Sequence, residues 1–204
     1  GGAAGGIGNV RMHSPSVPAY EGLQEDRPQR RRHTPNVTWA NEEWETRNAE
    51  LWAAIDDHER DEFVALIDTL AAELPPGSAI GLFERAGARD SMGYPDRAVP
   101  LYRAALDGGL TGERRRRAVI QMASSIRNLG EPQTAVDLLT AELAVGSDAL
   151  DGAVRAVLAL ALVDVGRERE AVAVAVTALA EYLPRYNRSM RRYAQMLTME
   201  TPLH

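Results

Sequence analysis

Three six-residue segments that begin with Gly and end with Ala recur along the chain at almost constant spacing. Their Gly residues are 37 and 36 residues apart. A fixed period in the thirties is typical of stacked helical repeats, because each repeat buries its apolar face only against its neighbours. The sequence therefore predicts an array of helix pairs. The segments are Gly93–Ala98, Gly130–Ala135 and Gly166–Ala171.

The composition agrees with helices packed at close range and excludes several kinds of chemistry. Hydrophobic residues make up 45% of the 204 residues and aromatic residues only 5%, so we expect a core built from Ala, Val and Leu. The chain has no Cys, which excludes disulfides, thiolate metal sites and Cys nucleophiles. It also has no Lys, which excludes a Schiff-base or P-loop lysine.

Neither catalysis nor a bound metal or cofactor is predicted. No Ser–His–Asp set, zinc-binding His pair or Gly-rich phosphate loop can be assembled from the sequence. The acidic residues around His58 are interpreted as a solvated helix start. No run of 18 apolar residues and no signal pattern is present, and the lack of Cys fits a reducing compartment. We therefore expect a cytoplasmic protein without a membrane partner.

The chain divides into a tail and a helical domain. Residues 1–37 are rich in Pro and Gly, which interrupt regular structure. Periodic apolar residues predict a repeat domain over residues 38–204. Within it we expect a degenerate helix pair, three repeats and a capping helix. Their ranges are 38–75, then about 79–112, 116–149 and 152–185, and finally 187–198.

The Gly and the Ala of each segment have distinct structural roles. The Gly supplies the positive φ that ends the first helix of a repeat. The Ala lies on the second helix, where a small side chain allows the partner helix to approach closely. The residues with these roles are Gly93, Ala98, Gly130, Ala135, Gly166 and Ala171.

These residues resemble the tetratricopeptide repeat, most closely in the small bacterial proteins of the group 5 type. The first repeat carries the pattern in Ala86, Gly93, Ala98, Tyr102, Ala105 and Leu106. Arg89 stands where the family has an aromatic residue, and Glu142 replaces a small residue in the second repeat. The resemblance implies an all-α, right-handed α-α superhelix that acts as a protein-binding scaffold.

The resemblance also implies which residues line the concave groove. These are first-helix residues of the second and third repeats, namely Arg117, Ile120, Ser124, Arg127, Ala156, Leu160 and Val163. Co-chaperones of the family grip a carboxylate there with several cations, and this chain has too few. We therefore expect an apolar partner segment with an acidic group near Arg117 or Arg127.

The first helix of the third repeat is apolar on almost every side, which predicts that something covers it. Five covers are possible: the capping helix, simple burial between repeats, a protein partner, a second copy of the chain, or its own Pro-rich tail. The charge distribution suggests a further contact between copies. Residues 41–75 carry a net charge of −9 and residues 185–204 one of +3, so two copies could meet head to tail. The alternative is two solvated surfaces.

Two arginine runs support a rival function in nucleic-acid association or regulation. They are Arg27–Arg32 and Arg114–Arg117. Such runs bind phosphates. Neither has interleaved aromatic residues for base stacking, and the net charge of −6 does not favour nucleic acid. Protein binding is the preferred interpretation.

Overall fold

The computed structural model describes residues 40–199, and every regular element in that range is helical. The predicted all-α fold is confirmed. The tail over residues 1–37 and the arginine run Arg27–Arg32 lie outside the described residues. The helices are α1 (Glu42–Ala53), α2 (Arg60–Ala71), α3 (Ala79–Ser91), α4 (Pro95–Asp107), α5 (Gly112–Asn128), α6 (Pro132–Val145), α7 (Asp151–Asp164), α8 (Glu168–Ala180) and α9 (Asn187–Thr198), with a short 3₁₀ turn at Ile55–Asp57.

Successive helices pack in chain order as three pairs, α3 with α4, α5 with α6 and α7 with α8. The first helices α3, α5 and α7 also lie side by side. The second pair begins at Gly112, four residues before the expected boundary. The reason is the short connection after α4, which ends at Asp107 and is followed by Gly109 with a φ of 84°. None of the described helices is long and apolar enough to cross a membrane.

The predicted helix-ending role of Gly is confirmed at all three segments. Gly93 has a φ of 80° and donates its N–H to the carbonyl of Asp90 at 3.0 Å. The next residue, Tyr94, donates to the carbonyl of Arg89 at 2.8 Å. This pair of bonds satisfies the last carbonyls of α3, and the pattern recurs at Gly130 and Gly166. The segment Ala residues are buried as expected; they are Ala98, Ala135 and Ala171.

The two departures from the family pattern are ion pairs between helices. Arg89 of α3 donates two hydrogen bonds to the carboxylate of Asp68 on α2, at 3.0 and 2.8 Å. Glu142 of α6 is buried and accepts hydrogen bonds from Arg115 of α5. A polar residue at each position is tolerated because a charged partner comes from the neighbouring helix.

The C-terminal helix is present as α9 and runs antiparallel to α8. Arg169 at the start of α8 donates to the carbonyl of Leu197 near the end of α9, at 3.2 Å. Ala194 of α9 is buried, and so are Ala173 and Ala180 of α8. These small residues allow the two helices to pack closely.

Candidate partner-binding groove

The groove positions of the first repeat are closed by α1. The indole of Trp52 lies against Gly87, where a Cβ atom would stand 3.2 Å from the ring. The indole N–H also donates to a carboxylate oxygen of Glu84 at 2.8 Å. Ile80 and Phe83, on the same helix, are buried. A ligand therefore has no access to the inner surface of α3.

Arg114 of α5 binds the carboxylate of Glu84 as well, and it thereby holds α5 against α3 and α1. Arg114 Nε donates to the other oxygen of Glu84 at 3.0 Å, and its two terminal nitrogens contact the carboxylate of Glu45 on α1. Burial lowers the pKa of Arg114, but the hydrogen bonds and charges of Glu45 and Glu84 more than offset this effect and raise it. Arg114 of α5 thus connects its own helix to α1 and α3.

The next two arginines of the run are also paired. Arg115 contacts the buried carboxylate of Glu142. Arg116 is buried and lies 2.5 Å from Asp151 at the start of α7, and it donates to the carbonyl of Gly146 at 3.1 Å. The hydroxyl of Ser147, helped by Arg116, lowers the pKa of Asp151. Three of the four arginines at the start of α5 therefore hold neighbouring helices together.

Arg117 differs from the other members of the run because it is exposed. Its guanidinium carbon lies 5.4 Å from the centre of the Phe83 ring, so it covers that buried ring from outside. Ser124, about two turns further along α5, is half-buried. Arg127 is also half-buried and forms an ion pair with Asp164 of α7.

Ile120 is not where the sequence pattern places it. Its side chain is only 8% exposed and packs in the core between the second and third repeats with Ala123 and Leu158. A ligand cannot reach it without separating α5 from α7. The sequence pattern predicted an accessible side chain at this position. The side chain is accessible only in a repeat on which no further repeat packs.

The remaining predicted groove residues form an exposed apolar surface on α7. Ala156 is exposed, and the side chains of Leu160 and Val163 are 53% and 50% exposed. Within the described residues, every large hydrophobic side chain that is exposed lies at residue 129 or later. Access to apolar surface therefore increases from the first repeat to the third.

The family model described as tetratrico peptide repeat matches residues 79–197 of the chain. The match covers more than half of the sequence and runs from the start of α3 into α9. The chain belongs to the tetratricopeptide repeat family. In this tetratricopeptide repeat protein, α1 and α2 precede the matched region and supply the side chains that close the first repeat. No curated protein and no solved structure matches the chain.

Proposed function

We propose that this tetratricopeptide repeat protein is a non-catalytic, cytoplasmic protein-binding module. Tetratricopeptide repeats generally mediate protein–protein interactions, and stacked repeats present extended surfaces for this purpose. The observation that carries the proposal is the exposure of Leu160 and Val163, each about half exposed, on α7. The equivalent helix of the first repeat, α3, is covered by α1. A partner segment would bury Leu160 and Val163.

The charges of α5, the helix beside α7, support a particular kind of partner segment. Leu160, Val163 and Ala156 favour an apolar side chain. Arg117 is exposed and faces the ring of Phe83, which leaves its outer side able to meet an acidic group of the partner. Arg127 is less suited to this role because Asp164 already neutralises it. We therefore propose an apolar segment with a nearby acidic residue as the ligand.

The rival function in nucleic-acid association has less support. Arg114, Arg115 and Arg116 contact carboxylates on other helices, so binding phosphates would require breaking interhelical ion pairs. Only Arg117 of that run is exposed. Retention of DNA or RNA that falls steeply with added salt would favour the rival function.

The proposal is tested by comparing partner capture by two variants in which the altered side chain is exposed in the parent chain. Leu160→Glu places a charge in the groove, whereas Val145→Glu changes a 69% exposed residue at the end of α6. We expect Leu160→Glu to lose the partners that the parent chain and Val145→Glu both retain. Circular dichroism must show that both variants stay folded. Equal capture by all three chains would contradict the groove assignment.

A further inference from the structure

The second helix of each repeat carries a line of three residues that receives the next repeat. In α4 the line is Val99, Tyr102 and Leu106, and in α6 it is Val136, Leu139 and Leu143. The first two residues of each line are at most 6% exposed, and the third is half-buried. In a repeat array, each repeat stacks on the next by burying residues such as these between them.

The equivalent line in α8 is uncovered. Val172 is 50% exposed, Ala175 is exposed and Leu179 is 56% exposed. The first helices show the same contrast, because Phe83 and Ile120 are buried while the equivalent Ala156 is exposed. The third repeat therefore ends in an open stacking face, defined here as Val172, Ala175 and Leu179.

Helix α9 follows the third repeat but does not occupy the position of a fourth. It packs on α8, in which Ala173 and Ala180 are buried and Thr177 is half-buried, and it does not lie beside α7 as α7 lies beside α5. The residues of α6 equivalent to those three are exposed, and they are Asp137, Ala141 and Ala144. Helix α9 thus covers the outer side of α8 and leaves the open stacking face bare.

We propose that the open stacking face binds the same face of a second copy of this chain around a two-fold axis. The face contains no charged residue, so nothing in it attracts a charged partner or repels its own copy. The opposite end of the array cannot pair with it in a head-to-tail manner. The exposed residues of α1 and α2 include many carboxylates, and neither helix exposes a large hydrophobic side chain. Other exposed hydrophobic side chains of the described residues lie beside charged ones, as Val163 does beside Asp164 and Tyr193 beside Arg192, whereas an identical face offers an apolar surface without charge.

The small residue at the centre of the face fits this arrangement. Tyr102 and Leu139 fill the central position in the first two repeats, whereas α8 has Ala175. Two α8 helices that cross at Ala175 could approach to about 8–10 Å between axes. Around an antiparallel crossing, Val172 of one copy would meet Leu179 of the other. The proposal does not depend on the groove, because none of Val172, Ala175 and Leu179 is a groove residue.

The oligomeric state of the full chain tests the proposal. We expect sedimentation equilibrium to show a reversible dimer for the parent chain, for Leu160→Glu and for Val145→Glu. Leu179→Glu should be monomeric over the same concentrations with an unchanged circular dichroism spectrum. A parent chain that stays monomeric at its solubility limit would overturn the proposal, as would a dimer that survives Leu179→Glu. Loss of the dimer in Leu160→Glu alone would instead place the second copy in the groove.

A single cysteine tests the two-fold geometry, because the chain contains no other. At the crossing point of two helices 8–10 Å apart, the Cα atoms lie about 3.4–5.4 Å from each other, and the upper part of this range suits a disulfide. We expect Ala175→Cys to form a covalent dimer on mild oxidation much faster than Val145→Cys. Equal rates for the two variants, in a chain that does dimerise, would overturn the two-fold arrangement.

Discussion

Ser125 of α5 donates its hydroxyl hydrogen to Asp90 of α3 across the boundary between the first two repeats, with 2.6 Å between the two oxygens. The hydroxyl of Tyr102 on α4 donates to the other oxygen of the same carboxylate at 3.3 Å. Ser125 and Tyr102 are both buried. Asp90 therefore joins three helices, and its charge is held in a largely apolar boundary.

The first prediction is that Asp90 makes stability fall as the pH rises. Burial raises the pKa of Asp90, and the hydrogen bonds from Ser125 and Tyr102 oppose this only in part. The folded state therefore holds the proton to higher pH than the unfolded state does. Between the ordinary pKa and the raised one, the unfolded chain binds fewer protons, so the free energy of unfolding decreases with rising pH.

Asp90→Asn should remove this contribution, because the amide does not ionise. Urea unfolding of both chains from acidic to neutral pH would measure it. We expect the parent chain to lose stability relative to Asp90→Asn as the pH increases. A difference that is independent of pH would mean that Asp90 has the same pKa in both states. Other carboxylates contribute equally to the two chains, so the comparison isolates Asp90.

The second prediction concerns the contacts of Arg114 with Glu45 and Glu84. Arg114→Met leaves Glu84, whose side chain is only 4% exposed, without its cation while the Trp52 hydrogen bond remains. An uncompensated buried charge is costly, so we expect a loss of about 1–3 kcal/mol in the free energy of unfolding. Adding Glu84→Gln should restore part of the loss, since the amide needs no counterion.

Denaturant unfolding of the single and double variants gives the coupling between the two residues. Arg103→Met is the matched control, because Arg103 is an exposed arginine on α4. We expect it to change stability by less than about 0.5 kcal/mol. If Arg114→Met behaved like this control, Arg114 would contribute nothing to the packing of α1 and α3.

Features that depend on neighbouring residues in the chain could be predicted from the sequence. The positive φ of Gly93 and the burial of Ala98 follow from local helix geometry, and the period located the repeats. The partners of Arg114 and Arg116 could not be predicted, because they lie 30 to 69 residues away on other helices. A run of like charges has the same appearance in sequence whether or not carboxylates face it.

The surface of α8 that α9 covers could not be predicted from the sequence either. The apolar stripe of α9 predicted a capping helix that closes the open end of the stack; α9 packs on α8, but Val172 and Leu179 stay exposed. Both the outer side and the stacking side of α8 are apolar, with Ala173 and Ala180 on one and Val172 and Leu179 on the other. The apolar stripe of α9 could pack on either of these two apolar surfaces, so the sequence pattern alone does not determine which surface it covers.

The third prediction separates a core residue from a surface residue among the predicted groove positions. Ile120→Ala should cost about 2–4 kcal/mol, because it opens a cavity between α5 and α7. Leu160→Ala should cost less than about 1 kcal/mol, since half of the side chain is already exposed. Urea unfolding measures both. Equal losses would show that Leu160 is as buried in solution as Ile120 and is no part of an accessible groove.

The fourth prediction concerns the Gly at the end of α5. Gly130 has a φ of 88°, and a Cβ atom built there meets no atom within 4 Å, so only the backbone conformation opposes a side chain. Gly130→Ala should lower the free energy of unfolding by about 1 kcal/mol, the left-handed strain being partly offset by a less flexible unfolded chain. Gly146→Ala is the control, because Gly146 is extended and equally open. Thermal unfolding should show a melting temperature about 2–4 °C lower for Gly130→Ala and unchanged or slightly higher for Gly146→Ala. Equal melting temperatures for the two variants would mean that α5 can end without a left-handed residue.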